Sequence, residues 1–289
     1  MQPYRAILVP LDGSAFGEHA LPLGLGIARR DGSIVRLVHV CTPPTPRRFR
    51  TEPAPVLAAD REHAEGYLQQ LATVLAAEWE VQIRTAVLEG PAAETLYADA
   101  VAQQASLVVM TTHGHGPLAR MWLGGVAQAL VRTLPMPVLL TRPHDESVDL
   151  LEEVDTQPFT RVLLPLDGSP LAEQVIAHAL ALGDPTRTQY TLLHVMNPLL
   201  AEHTIPPYAA GMPVADLAAL RAQVQAYLNA VAARLRGQAA GVRTLLVVAE
   251  PADAILEVAR AQRAGLIAMA THGRSILARA VLGSVADRV

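Results

Sequence analysis

This chain repeats itself, and that limits what it can fold into more than any other feature. Val9-Pro10-Leu11-Asp12-Gly13-Ser14 recurs 155 residues later as Leu164-Pro165-Leu166-Asp167-Gly168-Ser169. Leu37-Val38-His39-Val40 recurs at the same offset as Leu192-Leu193-His194-Val195, while Gly114 and Gly124 recur as Gly273 and Gly283 at an offset of 159. The order is kept and the offset drifts by only four residues. A period this long marks a duplicated domain and excludes a short-repeat solenoid. Halving 289 residues leaves units near the usual domain size, each long enough to bury its own core. The expected domains are residues 1–143 and 160–289. Between them, residues 144–159 read as a solvated linker carrying Asp145, Glu146, Asp149, Glu152, Glu153 and Asp155.

Within each half, apolar runs alternate with amphipathic stretches. The first half predicts strands at 6–11, 33–40, 81–88, 107–111 and 138–141, and helices at 14–30, 58–79, 91–104 and from about 125 to just before Pro135. Ser14 or Asp12 is placed to cap the first helix. The segment Thr42 to Pro55 holds five prolines and cannot be regular structure. The second half predicts strands at 162–166, 190–196, 242–249 and 266–270, and helices at 170–182, 215–236 and 252–263. The helix opening at Gly283 has about six residues left, and strand 138–141 has no counterpart. Alternating strands and helices predict an α/β fold of two tandem, doubly wound, parallel five-stranded sheets, with the last strand of the second half missing.

Composition narrows the function. Aromatic residues make up 4% of the chain, so the cores are aliphatic, and a net charge of −4 provides no basic field for nucleic acid. No apolar run is long enough to span a membrane, and the first residues lack the apolar core of a signal peptide. A single cysteine, Cys41, excludes an intramolecular disulfide. These features together predict a cytoplasmic protein that contacts neither nucleic acid nor membrane.

In open α/β sheets, ligands sit beyond the carboxyl ends of the strands, where strand order reverses. Thr111-Thr112-His113-Gly114 and Ala270-Thr271-His272-Gly273 directly follow buried-strand patterns. Nine residues after each motif, a small pair opens an amphipathic stretch: Gly124-Gly125 in the first half and Gly283-Ser284 in the second. Loops between a strand end and a helix start bind anions through backbone N–H groups and the positive helix end. Asp12 and Asp167 end strand one in their halves. If strands one and four are neighbours, aspartate and loop face each other across one crevice. Either aspartate also fits a plain turn and cap.

On these residues the chain resembles a tandem member of the universal stress protein family, over nearly its whole length and twice. The fold this implies is adenine-nucleotide alpha-hydrolase-like. The family's nucleotide-binding pattern is Gly, two residues, Gly, nine residues, Gly, then Ser or Thr. It maps to Ala270, Gly273, Gly283 and Ser284 in the second half, and to Thr111, Gly114, Gly124 and Gly125 in the first. The resemblance implies ATP or AMP as ligand, with or without Mg. Backbone around the glycines would cradle the phosphates, and Ser284 would donate to them. Asp167 would accept from ribose or the adenine amino group, and Val195 would touch the adenine edge. Asp12 and Val40 are the first-half equivalents. Arg274, beside Gly273, is a phosphate-contact candidate. Because Thr111 and Gly125 both depart from the pattern and only Ala270 does so in the second half, the second site ranks above the first.

Other readings constrain the roles. His113 and His272 are expected to hold the loops, and His39 and His194 to be satisfied core histidines. No His or Cys cluster has metal-ligand spacing. No carboxylate pair suits magnesium and no base faces a water, so at most slow ATP hydrolysis is expected. The departures at Thr111, Gly125 and Ala270 also fit a dimerisation or scaffold module of the same family, as a homodimer or as an intramolecular pseudo-dimer of the two halves.

Overall fold

A computed structural model describes residues 4–42, 58–112, 123–142, 159–197, 214–271 and 283–289. The proline-rich segment, nearly all of the acidic linker, and His113, Gly114, Arg120, His272, Gly273, Arg274 and Arg279 lie outside the described residues. The chain forms two compact units, Met1–Thr156 and Gln157–Val289.

The first unit runs β1 (Ala6–Pro10), α1 (Ala15–Glu18), α2 (Leu21–Asp31), β2 (Ile34–Cys41), α3 (Ala58–Trp79), β3 (Gln82–Glu89), α4 (Ala92–Ala102), β4 (Leu107–Thr111), α5 (Gly125–Thr133), β5 (Val138–Thr141). Its five strands are parallel in the order β3-β2-β1-β4-β5. The second unit runs β6 (Arg161–Pro165), α6 (Pro170–Leu182), β7 (Gln189–Met196), α7 (Val214–Leu235), β8 (Gly241–Val248), α8 (Pro251–Ala261), β9 (Leu266–Ile267). Its four strands are parallel in the order β8-β7-β6-β9. Apart from the elements discussed next, the observed bounds fall within two residues of the sequence expectation.

Parallel strands covered on both faces read as continuous apolar runs. Ile7, Leu8 and Val9 of β1 and every residue of β4 are buried. Right-handed crossovers from this strand order put α2 and α3 on one face and α4 and α5 on the other. The Arg29 guanidinium lies over the Trp79 ring, 5.2 Å from its centroid, and ties α2 to α3. On the opposite face Val38, Leu96, Ala100, Val108, Met110 and Leu130 belong to one buried cluster under α4 and α5.

Three expectations need correction. The single helix expected over 14–30 is broken between Glu18 and Leu21. Pro22 has no N–H to give the Glu18 carbonyl, and its ring would clash with that carbonyl. The chain tightens there: the His19 N–H donates to Phe16 O at 3.3 Å and the Ala20 N–H to Gly17 O at 3.4 Å. Ala177 stands at the equivalent position in the second half, and α6 is unbroken.

The strand expected over 266–270 pairs as a ladder only at Leu266 and Ile267. β4 keeps its full length because β5 pairs with it from Val108 to Thr111. Among the described residues β9 has no such outer neighbour, although the Ala268 N–H still reaches Leu163 O on the inner side at 2.9 Å. The helix expected after Gly283 is a turn, closed by Asp287 N–H to Gly283 O at 2.9 Å and Val289 N–H to Val285 O at 3.1 Å.

Candidate functional site

The strand-end turn is built the same way twice. After β1 the Leu11 N–H donates to Val38 O, and after β6 the Leu166 N–H donates to Leu193 O, both at 2.8 Å. Gly13 and Gly168 then take left-handed backbone, φ +80° and +84°, where glycine is the favoured residue. Asp12 Oδ1 accepts from the Ser14 N–H at 3.0 Å and from the Ser14 hydroxyl at 2.5 Å. Ser14 Oγ caps α1 by accepting from the Gly17 N–H at 3.1 Å. In the second half Asp167 Oδ1 accepts from the Ser169 N–H at 2.9 Å, and Ser169 Oγ caps α6 through the Ala172 N–H at 3.1 Å. Both aspartates therefore brace the turn while the serines cap the helices, and both remain accessible: Asp12 is exposed and Asp167 partly so.

The facing strand end is equally regular. β1 and β4 are hydrogen-bonded neighbours, as are β6 and β9. The Thr112 N–H donates to Thr141 O at 2.9 Å, and the Gly124 N–H returns to Thr112 O at 2.7 Å. In the second half the Gly283 N–H returns to Thr271 O at 2.9 Å. Each loop segment thus leaves and rejoins the sheet at one point. Gly124 is the N-cap of α5, and among the described residues no side chain caps the N–H groups of the first turn. A Cβ added at Gly125 would meet no atom of the described residues within 4 Å.

The second-strand valines share their clusters with the segments around Gly124 and after Gly283. Val40 packs against the same cluster as Leu123 and Val126, and Val195 against the same cluster as Val285 and Val289. Of the expected site residues, the structure brings Asp12, Val40, Thr111, Gly124 and Gly125 to one end of the first sheet. It brings Asp167, Val195, Ala270, Gly283 and Ser284 to one end of the second. Thr111 is buried and ends β4, whereas Ala270 follows β9 outside any ladder.

The structure adds a polar flank that the sequence reading missed. The Tyr67 hydroxyl on α3 donates to Glu18 Oε1 on α1 at 2.8 Å. Burial, then Glu18 and finally Asp12 hold the Tyr67 phenol above its ordinary range. Burial, then Glu173 and Asp167 do the same to Tyr227 on α7. Recurrence of Tyr67-Leu68 as Tyr227-Leu228, beside Glu18 and Glu173, was the available signal. His39 lies under the same turn, its Cε1 3.9 Å from where a Cβ on Gly13 would stand. Its Nδ1 is buried without a hydrogen-bond partner among the described residues, so His39 is not the satisfied core histidine expected. Burial, then the Glu89 charge, push the Cys41 thiol up, which keeps it protonated and unreactive. Among the described residues no group of three or more His, Cys, Asp or Glu could hold a metal ion, and no helix is long and apolar enough to cross a membrane.

The model of the universal stress protein family matches residues 3–142 and again residues 158–289. The chain belongs to the universal stress protein family. A universal stress protein of Mycolicibacterium smegmatis is 27% identical over 294 residues, covering 98% of this chain and 92% of that protein. One from Methanocaldococcus jannaschii is 29% identical over 141 residues, which is 48% of this chain and 82% of that protein. Among solved structures, a universal stress protein from Archaeoglobus fulgidus superposes with a TM-score of 0.61 at 20% identity, covering 92% of this chain and 84% of its own. At that identity the likeness establishes the fold: two tandem universal stress protein domains, each a parallel sheet flanked by helices.

Proposed function

We propose that this universal stress protein is a cytoplasmic regulatory protein that binds ATP or AMP at the strand ends, in its second half before its first. The observation that carries the reading is the Gly283 N–H bond to Thr271 O. It returns the loop to the sheet beside the strand neighbouring the Asp167 turn. Gly273, Gly283 and Ser284 would take the phosphates, with Arg274 alongside. Asp167 would take ribose hydroxyls or the adenine amino group, and Val195 the adenine edge. Gly114, Gly124, Gly125, Thr111, Asp12 and Val40 would form the weaker counterpart. Helix-end contacts give about 0.3–1 kcal/mol each. Several of them with base burial approach the roughly −8 kcal/mol of micromolar affinity.

Nucleotide released on denaturing the freshly purified protein should be identified by mass spectrometry and counted per chain. About one ATP or AMP per chain, lost in Gly283→Val, supports the reading. No nucleotide, with no binding on titration at millimolar ATP, overturns it.

A second reading has its own observation. Among the described residues the outer edge of β9 pairs with no strand, and such an edge recruits another chain. On this reading the protein is a dimerisation module. Sedimentation as a monomer at high concentration would rule it out.

A further inference from the structure

We propose that the corner of the second sheet at the opposite end of β6 from Asp167 is an oxyanion site that takes a phosphate group. It is built from the Thr160 and Arg161 N–H groups and the Arg161 guanidinium.

The first half shows what such a corner needs. There the Ser106 hydroxyl oxygen, just before β4, accepts from the Arg5 N–H at 2.9 Å and from the Ala6 N–H at 3.2 Å. One oxygen thus closes the start of β1. The second half keeps this backbone: the Gly265 N–H donates to Arg161 O at 2.9 Å, as the Ser106 N–H donates to Ala6 O at 2.8 Å. The chain enters both corners through the same left-handed residue, Gln104 at φ +53° and Arg263 at φ +50°. Gly265, however, stands in the place of Ser106 and brings no oxygen. Among the described residues nothing accepts from the Thr160 or Arg161 N–H. Successive N–H groups that converge in this way make an anion-binding concavity.

Positive charge is gained where the oxygen is lost. Arg161, Arg260 and Arg263 occupy the places of Ala6, Val101 and Gln104. All three are exposed, and among the described residues none has a carboxylate partner. Arg161 Nη1 donates to Gln262 O at 3.1 Å, which keeps the guanidinium at this corner and leaves its other N–H groups for a ligand. A helix end favours cations, yet α4 closes with neither arginine, so the fold does not require them. Arginine presents a planar fork that grips two oxygens at once. One oxygen for the paired N–H groups and two for the fork make three, one more than a carboxylate has and within the reach of a phosphate. The ligand is inorganic phosphate or the phosphoryl group of a phosphorylated chain, which share this chemistry.

The full-length protein should be titrated with inorganic phosphate, with a phosphoserine peptide and with the same peptide carrying glutamate, each followed through the amide resonances of Thr160 and Arg161. Phosphate should move both resonances to saturation. Gly265→Ser supplies the oxygen of the first half and Arg161→Ala its apolar residue, so each variant copies a residue with which the repeat already folds. Each should weaken phosphate about tenfold, the scale of one hydrogen bond to a charged group, with the melting temperature retained. Tighter binding of the phosphoserine peptide than of phosphate identifies a phosphorylated chain as the ligand, and equal or weaker binding identifies free phosphate. Resonances that do not move, or a phosphate affinity unchanged in either variant, overturn the proposal. So does a glutamate peptide that binds as tightly as the phosphoserine peptide, which would make the corner a carboxylate site.

Discussion

Arg36 on β2 and Asp99 on α4 form a two-pronged ion pair: Nε donates to Oδ2 at 2.8 Å and Nη2 to Oδ1 at 2.7 Å. The Asp99 side chain is only 8% exposed and that of Arg36 18%, so the pair sits largely out of water and pins α4 to the sheet. The second half does this job without charge. Thr191, the repeat of Arg36, donates from Oγ1 to Gln262 Oε1 at 2.6 Å.

Removing one partner of such a pair strands the other charge. Asp99→Ala is expected to destabilise the first unit by about 3–5 kcal/mol, while the double change Arg36→Met with Asp99→Leu stays near neutral. Urea unfolding followed by tryptophan fluorescence checks this, because both tryptophans, Trp79 and Trp122, belong to the first unit. Equal losses for the single and double variants would show that the pair does not act as a unit.

Gly183 ends α6 under the Tyr190 hydroxyl. A Cβ there would stand 2.1 Å from that oxygen, which is fixed by its bond to Ala179 O at 3.2 Å, and 3.0 Å from Thr188 Oγ1. Gly183→Ala should destabilise the second unit by about 1–3 kcal/mol, the usual cost of overpacking. Tyr190→Phe removes the obstructing oxygen, so the double variant should recover part of that loss. A thermal-melt double-mutant cycle reads the coupling, and strict additivity would mean the clash is relieved elsewhere.

Much of this was legible from residues that act locally or through the repeat. Continuous apolar runs marked the strands, and the duplicated Asp-Gly-Ser marked both turns. The α1–α2 break was missed, although Pro22, which removes a bond from the helix interior, was the available signal. The contact between Tyr67 and Glu18 was not legible, because 49 residues separate the pair and only the folded α1 and α3 bring them together. Nor was the carboxylate position of Asp12. It depends on a missing Cβ at Gly17, whose effect appears only in three dimensions. The short β9 reflects pairing on its outer side, a property of the sheet and not of residues 266–270.

Gly125 is where the first half loses the hydroxyl that Ser284 has in the second. Among the described residues nothing lies within 4 Å of a Cβ there, so Gly125→Ser meets none of them. Serine also favours helix over glycine by about 0.3–0.5 kcal/mol. The variant should be slightly more stable and bind ATP more tightly in its first half, raising nucleotide per chain at a fixed ATP concentration. Equilibrium dialysis measures the stoichiometry. A more stable protein with unchanged stoichiometry would show that the helix start at Gly125 does not meet phosphate.

His178 on α6 sits where the first half has Leu23, and burial pushes its imidazole below the ordinary histidine value. The unfolded chain, titrating near pH ~6.5, then binds more protons than the folded one just below that pH. A group depressed in this way contributes stability that is fully present above the unfolded value and is lost as pH falls through the folded one. His178→Leu restores the residue of the first half and removes the titration. The unmodified second unit should therefore lose more stability than the variant between pH 7.5 and pH 5. Thermal melts of both proteins across that range isolate this one group, because the other histidines are common to the two. Parallel pH curves would show that the imidazole protonates in the folded state without penalty.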